Sequence, residues 1–582
     1  MKAGVKYLFI TLFLGCGGFF FPFSLQAQHL SSTCDFRSPV SFPIELSGTF
    51  GELRNGHLHS GIDIKTGGVQ GKKVYAVADG YISRISITLG GYGKALYITH
   101  PDGFMSVYGH LQKFAPAIQR YVKNIQYQRK SYTVQIFPPK GKLPVKKGEL
   151  IAYSGNTGGS LGPHLHFEIR NAFTQHPVNP LQFGGIKISD KLPPKIIRLS
   201  VYPVFSYSRI NGKCDTVRIP VLGHGTRCYL KNKPVIFVSG PVSFGLRTYD
   251  VMNGTFNKNG IYSLQLFEDK QLVFALEADS LSFATTRYVN SLIDYGYYVR
   301  TGRRFIRTER DTNSRLPLYK KDLHDGIFVF KDTLLHHFRY VVKDIYGNTA
   351  SVAFVVKKGR PGKSRCSKPP KKTGYFIRYN QSVQIVRGNL QLDFPKNCFY
   401  RSFYLQLKRL PPLKSSLSPV YKAGDRLVPV QKYFTLSLRD DSIPQKWKSK
   451  VYLAYAPGIK DEFQFAGNER RGDVLTARVR NLGYYAVFLD TIPPEIKPLN
   501  FKSGMTIAGK KTLQVAMKDE GSGIKNYVAT LNGHWILMEY DVKNNRLTYF
   551  FDQYLKKGKN LFQLVVEDNS GNKSRYRAHL NY

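Results

Sequence analysis

Apolar and polar residues alternate along most of the chain in short runs, with a period of two. Residues 73–78, 81–87 and 95–99 are rich in β-branched and aromatic side chains, and Gly, Asp or Asn turns follow them. That is the composition of half-buried strands closed by turns. Alternation is strict at His164-Leu165-His166-Phe167-Glu168-Ile169. Two histidines and a glutamate share one face of that strand, and three apolar side chains share the other. No segment shows a long amphipathic helical pattern bounded by caps. The expected fold class is all-β: an antiparallel sheet domain followed by several β-sandwich domains.

Repeats divide the C-terminal two thirds. Val341-Val342-Lys343-Asp344-Ile345-Tyr346-Gly347-Asn348 matches Val565-Val566-Glu567-Asp568-Asn569-Ser570-Gly571-Asn572, each a strand entering an Asp-x-x-Gly-Asn turn. Upstream, Asp190-Lys191-Leu192-Pro193-Pro194 matches Asp490-Thr491-Ile492-Pro493-Pro494, a stiff linker opening a new unit. The expected boundaries are 187–358, a basic Pro-rich linker 359–373, a β-rich unit 374–489, and a final sandwich 490–582. The turns at 519–524 and 568–572 resemble those of bacterial immunoglobulin-like domains. The first unit is nearly twice the length of the last, so it holds an insertion or two domains.

The chain has 582 residues, with 85 Lys+Arg against 39 Asp+Glu, a formal charge of 85 − 39 = +46. A content of 42% hydrophobic residues is too apolar for a disordered polycation. Lys2 and Lys6 precede an apolar run over 7–15, extended at 19–23 and broken by Pro22. Residues 1–28 therefore read as a signal peptide; a second reading makes Gly15-Cys16 a lipoprotein processing site. Export argues against nucleic acid as the anionic partner, and no later stretch is long enough to span a membrane. Outside the signal, proximity suggests disulfides Cys214–Cys228 and Cys366–Cys398, leaving Cys34. No Cys-x-x-Cys pair is present, so a metal here would need His and carboxylate ligands.

Three motifs supply them. Gly56-His57-Leu58-His59-Ser60-Gly61-Ile62-Asp63 contains a His-x-Gly-x-Asp core; Tyr108-Gly109-His110-Leu111 follows; Gly162-Pro163-His164-Leu165-His166-Phe167-Glu168 completes the set. Each alone recurs by chance, and an exposed His-x-His pair is common on strands. Together, in this order and within Gly-rich turns, they resemble the lysostaphin-type zinc metallopeptidases that cut peptidoglycan peptides. The resemblance covers about residues 45–172, within an expected domain at 29–186. It implies one Zn2+ held by His59, Asp63 and His166, with His110 and His164 as catalytic histidines outside the ligand set. Which of the two is the general base stays open. His57 lies two residues before His59 and is expected at the rim. Glu168 is a candidate to support the ligands or to line the mouth. Arg54 is a candidate for a substrate carboxylate, and Tyr108 accompanies His110.

The resemblance further implies an exported endopeptidase acting on peptidoglycan stems or cross-bridges, located in the periplasm, cell envelope or outside the cell. The excess charge then reads as attraction to an anionic envelope polymer. Residues 114–147 depart from the compact family form. They hold Arg120, Lys123, Arg129, Lys130, Lys140, Lys142, Lys146 and Lys147 with no acid, and are expected to form a solvated β-hairpin or a wall of the cleft. Two other functional classes fit the same motifs. One is a non-catalytic scaffold or activator of other wall hydrolases. The other is an envelope-binding or adhesion protein whose tail does the main work.

Overall fold

The computed structural model describes residues 35–360 and 374–582. The expected signal segment with Cys16, the residue Cys34, and most of the basic linker with Cys366 lie outside the described residues. Strands dominate throughout, as the alternation predicts. No helix among the described residues is long and apolar enough to cross a membrane.

The N-terminal part is built on one antiparallel sheet. Its central order is Leu46–Gly48, Ile62–Lys65, His164–Asn171, Phe104–Gly109, Lys94–Thr99, Gly80–Ile87 and Val134–Ile136. Register brings distant motifs side by side: His166 pairs with Asp63 on one flank and with Gly109 on the other. The apolar back of these strands, including Ile62, Ile64, Tyr108, Leu165 and Phe167, is sealed into a buried core. Tyr108 thus belongs to the core face, its ring 5.3 Å from Phe167 and its hydroxyl accepting from the Val77 amide at 3.0 Å. Alternation along the strand turns it away from the imidazoles.

Residues 114–147 contain a helix, Pro116–Arg129, where a hairpin or cleft wall was expected. Ile118, Val122 and Gln126 are its buried residues, spaced by one turn each. Its N-cap is Ala115, which makes no side-chain capping bond, so Pro116 in the first turn is the start signal that remains. Two of its polar groups meet the far end of the chain: Lys123 pairs with Asp552 at 3.0 Å, and the Tyr127 hydroxyl donates to the same carboxylate.

Residues 195–358 form a sheet system around one hydrophobic core, which also takes in Phe50 and Leu58 from the N-terminal part and Tyr400 from the unit that follows, so the extra length is accommodated without a second core. Two five-stranded sheets follow over 383–489, then two four-stranded sheets from Glu495–Pro498 to Lys573–Asn581. The last pair folds back on the first sheet: Lys94, 3% exposed, pairs with Glu539 at 2.8 Å. Cys228 and Cys398 are buried free thiols and Cys214 is disulfide-bonded, so neither expected disulfide forms.

Candidate metal centre

His59 reaches the site from the loop after His57–Leu58, Asp63 from strand Ile62–Lys65, and His164 and His166 from His164–Asn171. The glycine of the His-x-Gly-x-Asp core has a steric reason. A Cβ on Gly61 would lie 2.2 Å from the Phe167 carbonyl oxygen, so only glycine lets the loop lie against that strand.

The ligand atoms close on one point. His59 Nε2 lies 3.0 Å from His166 Nδ1 and 3.1 Å from Asp63 Oδ1, and His166 Nδ1 lies 2.9 Å from the same oxygen. Each imidazole is oriented from behind. His59 Nδ1 donates to the Thr49 carbonyl at 2.8 Å, which leaves Nε2 with its lone pair. His166 Nε2 donates to Glu168 Oε1 at 2.8 Å, which leaves Nδ1 as the inward atom. All three groups are at most 4% exposed. Four tetrahedral ligands bound at ~2.0–2.1 Å stand about 3.3 Å apart, so the spacing fits a small tetrahedral cation. Two imidazoles and one carboxylate with nothing softer are zinc donors.

The electrostatics agree. Burial alone raises the Asp63 carboxyl, but His59 and the imidazole hydrogen bonds override it and hold it well below the usual range. Burial also opposes charge on His166, yet Asp63 and Glu168 on its two nitrogens lift it to about 9. In the metal-free protein a proton therefore occupies Nδ1, the place a cation takes.

The remaining candidates fall into distinct places. Glu168 is fully buried behind His166, bonded also to Ser60 at 2.5 Å and to Arg170 at 2.6 Å; it supports the ligands rather than lining the mouth. Arg54 Nη2 binds Asp63 Oδ2 at 2.5 Å, holding that carboxylate so that Oδ1 points inward. His57 is exposed, and its Nδ1 lies 3.1 Å from the Asn55 carbonyl. His110 and His164 stand beside the ligands with ring centroids 4.8 Å apart, and His164 Nε2 is 3.4 Å from Asp63 Oδ1. His110 has a left-handed backbone, φ 58°, a strained state for a non-glycine residue. Its Nδ1 donates to the Thr157 carbonyl and that of His164 to Gly162, both at 2.8 Å. Each ring is thus held through Nδ1 and turns Nε2 toward the site. Burial, with His166 and His164 nearby, pushes His110 down to about 3.

Sequence reasoning missed Arg170, Tyr92 and Thr49. Extending the alternation of His164, His166 and Glu168 by one step reaches Arg170. Tyr92, whose hydroxyl bonds Glu168 Oε1 at 2.5 Å, sits in a Gly-rich turn with no pattern to mark it.

Residues 57–127 and 136–180 match peptidase family M23, and residues 374–490 match the Zu5-like domain. The chain therefore carries a peptidase family M23 domain within an all-β architecture. A stretch of 129 residues is 36% identical to the DD-carboxypeptidase/endopeptidase Mpg of Neisseria meningitidis, covering 22% of this chain and 23% of that one. Another of 135 residues is 33% identical to the murein hydrolase activator NlpD of Escherichia coli, covering 23% and 28%. The match spans about a quarter of these relatives' length. Among solved structures, the catalytic domain of lysostaphin from Staphylococcus simulans is 26% identical, covering 24% of this chain and 90% of that one with a TM-score of 0.18.

Proposed function

We propose that the site is a zinc-dependent endopeptidase centre that hydrolyses peptide bonds in peptidoglycan stem peptides or cross-bridges, in a protein exported to the cell envelope. One observation carries this reading: His59 Nε2, Asp63 Oδ1 and His166 Nδ1 converge within 3.1 Å of one another, each fixed from behind. Zinc bound there supplies a Lewis acid that polarises a carbonyl and makes water nucleophilic near neutral pH.

The chain's own groups do the rest. Arg54 and Glu168 hold Asp63 and His166 in position. Of the two inward atoms, His110 Nε2 and His164 Nε2, one takes the proton of the attacking water. The same nitrogen then returns that proton to the leaving amine as the peptide C–N bond breaks, which regenerates the neutral imidazole. The excess of basic residues favours a carboxylate-bearing polymer at long range and takes no part in bond cleavage.

Zinc analysis and a sacculus-digestion assay on the full chain test the proposal. His59→Ala should lose zinc and activity together. His110→Ala should keep one zinc and lose activity by about 100-fold or more; full activity in that variant would overturn the assignment. The likeness to NlpD favours a second reading, an activator of other wall hydrolases. On that reading purified protein releases no fragments from sacculi by itself, and His110→Ala activates a partner hydrolase as well as the native chain does.

A further inference from the structure

The peptidase centre leaves unused two groups of aspartates at equivalent places in the tail. In the first, Asp190 lies on the linker leaving the N-terminal sheet, Asp250 follows strand Val242–Tyr249, and Asp344 follows strand Leu335–Lys343. One carboxylate oxygen from each lies within 4.8 Å of the others, and the three residues are 9%, 1% and 3% exposed.

Hydrogen bonds account for part of this cluster. Asp190 Oδ1 accepts from the Leu192 and Asn253 amides at 3.1 and 3.3 Å. Asp344 Oδ1 accepts from the Tyr346 and Asn348 amides at 2.9 Å, and its Oδ2 from the Asn348 side chain at 2.7 Å. Asp190 Oδ2 and Asp250 Oδ1 remain buried with no hydrogen-bond partner. The side chain of Asn259, whose backbone pairs with that of Asp250 in both directions, is also buried and unpartnered. Among the described residues no lysine or arginine forms an ion pair with Asp190, Asp250 or Asp344, although the chain holds 85 basic residues against 39 acidic ones. Burial, with Asp344 and Asp190 alongside, pushes the Asp250 carboxyl up to about 8. Buried carboxylate oxygens without a donor or a counter-charge are costly, and a cation removes the cost.

We propose that Asp190, Asp250 and Asp344 form a calcium site at the junction between the peptidase domain and the tail. The donors are all hard oxygens, with no imidazole or thiolate, which selects an alkaline-earth ion over zinc. Calcium accepts irregular sets of carboxylate and amide oxygens, whereas magnesium demands a near-ideal octahedron and retains its waters. The ion would tie the linker to two strand ends beside Met252, which is itself buried in the peptidase core. Its effect is to stiffen the junction, independently of the zinc centre.

The tail repeats the arrangement. Asp490, Asp519 and Asp568 form a second triad, with ligand atoms again within 4.8 Å. Asp490 Oδ1 accepts from Ile492 as Asp190 does from Leu192, at 3.2 Å. Asn572 bonds Asp568 through amide and side chain, both at 2.8 Å, as Asn348 bonds Asp344. Asn572 Nδ2 also reaches the Asp490 carbonyl at 3.0 Å, and Asn348 Nδ2 the Asp190 carbonyl at 3.2 Å. Both Asp490 oxygens are hydrogen-bonded in this copy, and Lys450 reaches Asn572 at 2.6 Å. The first triad is therefore the one with vacant donors.

The test uses the full chain, stripped with chelator, reloaded with one zinc, and titrated with CaCl2 or MgCl2. Calorimetry and elemental analysis should show bound calcium, with a rise in melting temperature that equimolar magnesium does not match. Asp250→Asn should lower the calcium stoichiometry by one or weaken binding by about tenfold or more. In the absence of calcium and above about pH 8, where the Asp250 carboxyl ionises, it should also melt higher than the native chain, because it removes an uncompensated charge. Unchanged zinc content reports that the variant is folded, and Asp190→Asn repeats the measurement at a less buried position. Failure of the native chain to bind calcium, or the same calcium response in both variants, would overturn the proposal.

Discussion

Nε2 of His166 lies 2.8 Å from Oε1 of Glu168, and this contact decides which imidazole nitrogen faces the candidate metal centre. Glu168 is in turn bonded to Arg170, so a buried chain of charge runs from the ligand into the core. The two charges support each other and the ligand at once.

Glu168→Ala leaves the Arg170 guanidinium buried without its partner. Loss of such a partner costs about 3–5 kcal/mol, so thermal unfolding of the variant should move down by several degrees. Glu168→Gln keeps the shape but removes the charge that orients His166. Its zinc affinity should fall by about 10–100-fold in a chelator competition, as for other carboxylates behind ligating histidines.

Arg54 acts on the other ligand. Its bond to Asp63 Oδ2 competes with free rotation of that carboxylate. Arg54→Ala should weaken zinc binding by about tenfold or more without abolishing it, and should reduce kcat with little change in KM. A change confined to KM would instead mark Arg54 as a substrate contact.

Zinc must displace the proton that Asp63 and Glu168 hold on His166 in the metal-free protein, where its pKa is lifted to about 9. Below that value one proton leaves for each zinc bound, so apparent affinity should rise about tenfold per pH unit up to about pH 9 and then level off. Calorimetry in buffers of different ionisation enthalpy counts the proton. His110 contributes nothing to this slope between pH 5 and 8, because it is held down to about 3.

The pair Lys94–Glu539 ties the last sheets to the first, with Lys94 also donating to the Gln112 carbonyl at 3.0 Å. Glu539→Ala leaves a buried lysine charge, a loss of about 3 kcal/mol or more. Hydrogen exchange should show faster opening of residues 538–550, while the zinc content stays unchanged.

Cys228 and Cys398 are buried and their thiols are raised by burial, Cys398 to about 12. Neither should react with iodoacetamide in the native chain at pH 8, and both should react after unfolding, as peptide mapping would show.

Some of this was legible in the residues. Period-two alternation at 164–169 placed the two histidines on the front and Leu165 and Phe167 in the core. The His-x-Gly-x-Asp spacing singled out His59 and Asp63, and the structure supplied the reason for the glycine between them. Pattern could not reveal the helix at 116–129, whose first turn has no capping side chain and whose basic face hides its apolar spacing. Tyr108 was misplaced because the strand ends at Gly109 and His110 has a left-handed backbone, so the two side chains do not share a face as residues two apart on a strand would. Disulfides failed for the same kind of cause, since closeness along the chain says nothing about which sulfurs meet.

The sequence by itself determined the strands, the three motifs that carry the candidate ligands, and the repeated Asp-x-x-Pro-Pro and Asp-x-x-Gly-Asn punctuation. Those are local properties, set by side-chain type and by spacing of two to four residues. Only the tertiary structure decided what those residues meet. Register between strands far apart in the chain put Asp63 against His166, and Glu168 behind it. The same long-range packing gathered Asp190, Asp250 and Asp344 from positions up to 154 residues apart (344 − 190) into one buried cluster. Contacts of that range depend on how sheets pack, and no local pattern encodes them.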